Sequence, residues 1–142
     1  MENLLIIFKK GLEKERDILF AYIFGSRATG KVHPESDLDI AVYLKEPLKD
    51  YTEKRLELID LISTFTGENE IDLVILNKAS PLVVHSVEST GKLLFSKNEE
   101  KRVQFIVKNL KEYLDLEIQL KICWRAMKKK NKGREIWYLK RF

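Results

Sequence analysis

A chain of 142 residues, 44% hydrophobic and 34% charged, with six Gly and three Pro, has the size and composition of one compact domain. No apolar run approaches the roughly 18 residues needed to cross a bilayer, and no stretch has the low complexity of a disordered tail. Lys and Arg number 26 against 22 Asp and Glu, a net +4 that taken alone hints at nucleic acid or an acidic partner.

Residues 2–16 place Leu4, Leu5, Ile7, Phe8 and Leu12 at near-helical spacing among charges, which predicts an amphipathic helix with Gly11 as its weak point. The mix of acids and bases in the first dozen residues, without a cleavage-site pattern, argues against a signal peptide. Residues 17–24 are a short apolar run rich in β-formers, read as a buried strand that stops at Gly25. Residues 26–36 are turn-like, with Gly30 and Pro34 as breakers. A second strand covers residues 37–44, and its alternation sends Asp37 and Asp39 to one face.

Residues 50–65, with Leu56, Ile59, Leu61, Ile62 and Phe65 among charges, read as a helix that Gly67 closes. Residues 70–76 form a third strand, in which Asp72 is the one acid inside an apolar run. Ser80 and Pro81 open a short helix over 80–90, as cap and first-turn residue. A short edge strand follows at 92–96, then a long helical stretch over 99–130 and a short aromatic tail. The order αβ-β-α-β-α-β-α, without repeat or linker, predicts an α/β domain with a small mixed sheet flanked by helices and a long C-terminal helix.

The charge divides unevenly along this order. Residues 1–96 hold 12 basic and 16 acidic side chains, a net −4, and residues 97–142 hold 14 and 6, a net +8. We therefore read 1–96 as a core and 97–142 as a basic helical extension of the same domain, a candidate surface for docking a partner.

Gly25-Ser26, ten further residues and Asp37-Leu38-Asp39 form a constellation with chemical content. Carboxylates at i and i+2 of a strand share a face and can hold Mg²⁺, and Asp72 from a neighbouring strand can complete the cluster and take a proton from an incoming hydroxyl. Gly25 lets backbone approach a triphosphate, Ser26 and the amides after it can donate to phosphate oxygens, and Arg27 can add positive charge. Separately, a lone Asp-x-Asp or Gly-Ser is common by chance. In this order, each at the end of a predicted strand, they point to a metal-dependent phosphate site.

The stretch Gly25-Ser-Arg-Ala-Thr-Gly-Lys-Val-His-Pro-Glu-Ser-Asp-Leu-Asp-Ile-Ala-Val42 resembles the signature of the polymerase-β-like nucleotidyltransferase superfamily and is similar to its minimal branch, the MNT antitoxins. The resemblance implies that Asp37, Asp39 and Asp72 bind Mg²⁺ and act in catalysis, and that Gly25 and Ser26, with Arg27 beside them, hold the triphosphate of ATP. It further implies a protein adenylyltransferase that pairs with a HEPN toxin, an all-helical ribonuclease, and silences it by transferring AMP onto a tyrosine. Between the second Gly of the motif and its Pro stand Lys31, Val32 and His33, which depart from the family in detail but not in spacing.

Two other readings compete. One is nucleotide transfer to a small hydroxyl compound such as an aminoglycoside, for which residues 97–142 are short as a substrate domain. The other is an antitoxin that acts by binding alone, against which the intact carboxylates count. Arg27 and His33 also match the loose Arg-x5-His ribonuclease pattern, but that pattern belongs on helices and here spans a turn. His85 reads as a packed or partly exposed structural histidine and Cys123 as small buried packing, and no Cys/His cluster has zinc spacing. The apolar residues Val103, Ile106, Val107, Leu110, Leu114 and Ile118 give the long helix one face that packs on the domain or on another chain. Direct RNA binding is the less favoured use of its lysines.

Overall fold

The computed structural model describes residues 2–25, 38–67 and 71–130. Four strands, β1 (Ile18–Phe24), β2 (Leu38–Leu44), β3 (Ile71–Ile75) and β4 (Lys92–Ser96), form one sheet in the order β3-β2-β1-β4. β1 runs antiparallel to both β2 and β4, whereas β2 and β3 run parallel. The parallel pair needs a crossover, which helix α2 (Tyr51–Thr66) supplies. The sheet is thus small and mixed, as the element order predicts.

The two faces of the sheet are covered by different helices. On one, Ile23, Ile40, Val42, Leu44 and Leu73 meet Phe8 and Leu12 of α1 (Glu2–Glu13) and Leu58 and Ile62 of α2. On the other, Phe20, Tyr22, Ala41 and Tyr43 meet Val84 and Val87 of α3 (Pro81–Thr90) and Phe105 of α4 (Glu99–Lys130). Phe20 stacks on Tyr43 at 4.7 Å between ring centres, and Phe105 closes on Tyr43 at 4.8 Å. With both faces buried, the strands read as apolar runs and not as strict alternations.

Local signals set the helix ends. The Asp50 carboxylate accepts hydrogen bonds from the amides of Thr52 and Glu53 at 3.0 and 3.1 Å, and Gly67 closes α2 as expected. Ser80 accepts from the Val83 amide with Pro81 in the first turn, also as expected. Gly11 has a packing role, since the ring of Phe65 lies where a side chain would begin, 2.8 Å from an added Cβ. The phase of two helices differs in detail from the sequence reading. Ile7 and Leu56 point to solvent, and Leu58 takes the buried place on α2.

The turn between α1 and β1 is tied to α2 by Lys54, whose ammonium donates to Glu15 at 2.7 Å and lies 2.9 Å from Asp17. Burial disfavours the charged form of Lys54, yet the hydrogen bonds to Glu15 and Asp17 outweigh it and raise its pKa. A raised lysine pKa stabilises the fold fully below the ordinary value of 10.5, and that contribution fades as pH climbs through the higher folded-state value.

Lys54→Met should therefore lower stability by about 1–2 kcal/mol, intermediate between surface and buried pairs. The deficit seen in urea unfolding should hold through neutral pH and shrink above pH 10.5. Phe20→Ala, which empties the centre of the aromatic cluster, should cost about 3–5 kcal/mol in the same assay.

Candidate active site

Parallel pairing of β2 with β3 sets Asp39 directly opposite Asp72 in register. Registered neighbours project to the same face of a sheet, and adjacent strands lie about 4.8 Å apart. The alternation of β2 places Asp39 in the row of Ala41 and Tyr43, and that of β3 places Asp72 in the row of Val74. Both carboxylates therefore belong to the face covered by α3 and α4, at the end of the strands beyond that cover. Asp39 is half-buried and Asp72 exposed.

β1 delivers the third element of the site. Phe24 is the cross-strand partner of Asp39, and the next residue, Gly25, turns with φ of 79°. A Cβ on Gly25 would overlap the Oδ2 atom of Asp39 and stand 3.0 Å from its Cγ. Only glycine fits here, because the backbone is left-handed and the Asp39 carboxylate fills the place of the side chain. Besides the close approach to phosphate expected of it, Gly25 makes room for the Asp39 carboxylate.

Ser26, Arg27, Asp37, Lys31 and His33 lie outside the described residues, as does the aromatic tail after residue 130. Among the described residues, no three His, Cys, Asp or Glu side chains cluster as a metal site. Asp39 and Asp72 are nevertheless a fit for a hard cation. Two carboxylates in register on neighbouring strands repel unless a cation or proton lies between them, and carboxylate oxygens are the donors Mg²⁺ prefers.

Behind the site, Tyr22 stands on the same face, one step down β1 from Phe24. Its hydroxyl accepts a hydrogen bond from Arg102 Nη1 at 3.0 Å, while Arg102 also pairs with Glu99 and lies 3.9 Å from Glu88. Burial and the nearby Glu88 raise the Tyr22 pKa, keeping the phenol neutral, and the hydrogen bond from Arg102 pulls the Glu99 carboxyl down to about 2. This knot fastens the start of α4 and the end of α3 to the strand that leads into Gly25. Tyr22 and Arg102 are 80 residues apart in sequence, so no local pattern reveals their contact.

Two lesser expectations resolve differently. His85 stacks on Tyr113 at 3.8 Å between ring centres, the packed structural histidine that was expected. Cys123 is exposed, not buried, because that part of α4 extends past the packed first half of the helix.

The family model "Polymerase beta, Nucleotidyltransferase" matches residues 8–100, a span that includes all four strands and the carboxylate pair. The chain belongs to the polymerase-β nucleotidyltransferase family. Members are transferases, and this chain is a transferase of that kind. A relative from Shewanella oneidensis, the protein adenylyltransferase MntA, is 32% identical over 98 residues, covering 69% of this chain and 68% of its own. A solved toxin–antitoxin structure with AMP-PNP superposes with a TM-score of 0.72 at 27% identity, covering 87% of this chain and 97% of the other. A tri-AMPylated HEPN toxin in complex with MNT antitoxin, also from Shewanella oneidensis, matches with a TM-score of 0.66 at 26% identity, covering 89% and 98%. The polymerase-β-like fold expected from the Gly-Ser and Asp-x-Asp motif is the fold observed. No described helix is long and apolar enough to cross a membrane.

Gly25→Ala in this nucleotidyltransferase should displace the Asp39 carboxylate and lower nucleotidyl transfer by about 100-fold, the usual effect of an ångström-scale misplacement. A thermal melt should separate this from a folding defect, with a loss of only a few degrees expected beside the rate change.

Proposed function

We propose that this nucleotidyltransferase is a Mg²⁺-dependent protein adenylyltransferase, an antitoxin that transfers AMP from ATP to a tyrosine of a HEPN toxin. The registered pair Asp39 and Asp72, with Gly25 packed on Asp39 at the end of the Gly-Ser-x10-Asp-x-Asp motif, is the observation that carries the reading. The kinship with MntA and the likeness to a toxin–antitoxin structure with AMP-PNP and to an AMPylated HEPN toxin in complex with MNT antitoxin support the choice of nucleotide and acceptor.

In this reading Asp37, Asp39 and Asp72 would hold Mg²⁺, which when bound would supply positive charge to the triphosphate. Gly25 and Ser26 receive the phosphates through close backbone approach and hydroxyl donation, and Arg27 adds charge beside them. The phenolic oxygen of the acceptor tyrosine attacks the α-phosphorus, the bond from that phosphorus to the bridging oxygen breaks, and pyrophosphate leaves. Asp72, the exposed member of the pair, takes the phenolic proton. Residues 1–96 make up the catalytic core and 97–142 its extension, a division supported by the family match that ends at residue 100.

The test is to incubate the full chain with ATP, Mg²⁺ and a HEPN protein from the same genome, and to follow the intact mass of that protein. Mass should rise in AMP units. Asp39→Asn and Asp72→Asn should each slow the gain by roughly 10³-fold, as loss of a charge-organising group does. Suppressed toxicity with no gain in mass would overturn the reading in favour of inhibition by contact.

A further inference from the structure

Helix α4 has 32 residues and, at 1.5 Å per residue, a length of about 48 Å. Among the described residues, its contacts with the rest of the domain gather in the first half. Phe105 joins the aromatic cluster, the Asn109 side-chain amide donates to the Pro81 carbonyl at 3.3 Å, and Tyr113 stacks on His85. Farther along, Lys121 pairs with Glu117 and Lys128 lies over Trp124, both within the helix itself.

A different side of the same helix carries Val103, Val107, Leu110, Leu114, Ile118 and Ile122, each 44–60% exposed. Steps of three and four residues keep them on one stripe, about 28 Å long. Solvent-facing apolar residues are ordinary when scattered; six in a line along one helix mark a surface that another molecule covers.

Charge selects among the candidates for that molecule. Residues 99–117 of α4 hold four bases and five acids, whereas residues 118–130 hold five bases, Lys121, Arg125, Lys128, Lys129 and Lys130, and no acid. The chain's own residues 131–142 carry four bases and one acid, so laying them on this half would bring like charges together. A second copy in parallel sets five positive charges against five, and in antiparallel sets them against a segment of net −1. Neither neutralises the distal half. A protein surface with carboxylates beside an apolar strip does so and covers the stripe in the same contact.

We propose that the stripe and the basic distal half of α4 form an exosite that docks the protein acceptor of AMP through an acidic, apolar-edged surface. The inference rests on the adenylyltransferase reading given above. Binding energy gathered at the helix, remote from the reacting atoms, holds the acceptor tyrosine at the site and raises its effective concentration.

The experiment compares the full chain with the double variant L114D/I118D and with the charge reversal K121E/R125E. Three readouts apply: the affinity for the HEPN protein by calorimetry, steady-state AMP transfer to it, and transfer to a short free tyrosine peptide. Both variants should melt as the parent does, since every changed side chain is exposed. Affinity for the HEPN protein should fall at least 30-fold and its KM rise by a similar factor. The kcat, the KM for ATP and transfer to the peptide should stay within twofold. Loss of affinity in K121E/R125E should be matched in the parent by raising salt.

An unchanged KM for the HEPN protein in both variants overturns the exosite. So does a parent dimer, seen in sedimentation, that L114D/I118D dissociates while HEPN affinity holds, because a second copy then covers the stripe. RNA binding that vanishes in K121E/R125E while HEPN affinity is kept counts against it in the same way. Failure of the adenylyltransferase reading looks different: the parent transfers no AMP, yet the calorimetric affinity still depends on Leu114 and Ile118.

Discussion

Two carboxylates held side by side on neighbouring strands are the constraint around which the domain is arranged. The register Asp39 to Asp72 exists only because β2 and β3 are parallel, and the parallel pair exists only because α2 crosses between them. Two acids in register are a costly pairing without a cation between them, so packing elsewhere must hold the strands. Burial on both faces does so, with Ile40, Val42 and Leu73 pressed on α1 and α2 and Ala41 and Tyr43 pressed on α3 and α4. The same residues that place the acids in the row are therefore locked by the alternate residues below and above them. Stability and site geometry here are one property of one short stretch of β2.

Gly25 completes the arrangement from the other side. β1 pairs with β2 so that Phe24 faces Asp39, and the chain must then leave the sheet without displacing that carboxylate. A positive φ and the absence of a side chain achieve it. A glycine before serine is thus tied to an aspartate 14 residues later by direct steric contact, not by a shared role alone.

Much of this was legible in the sequence because it is local. Strand 92–96, the Ser80 and Gly67 caps and the span of α4 follow from short-range patterns. The Gly-Ser and Asp-x-Asp spacing marks the carboxylate strand end from sequence alone. Pairings across strands were not legible. That Asp72 faces Asp39 depends on register, which no window of residues encodes, and the Tyr22–Arg102 knot joins positions 80 residues apart. Helix phase also escaped in part. Leu56 and Leu58 are equally apolar, but Leu58 shares the helical face of Leu61, Ile62 and Phe65, and Leu56 lies across the helix from it. Cys123 looked like core because its neighbours Ile122 and Trp124 are apolar, but the helix that carries it runs on past its packed half.

The manner in which α4 is attached has a mechanical consequence. Arg102 pins the first turn to Tyr22 and sits beside Glu88 of α3, and the ring of Tyr113 rests on His85, so among the described residues the fixed points crowd toward one end. Such a helix is a cantilever. A tilt of about 5° at its root carries the far end through about 4 Å over its length. Aim at the tip is accordingly set by stiffness at the root, and the root is fastened to the strand that runs into Gly25.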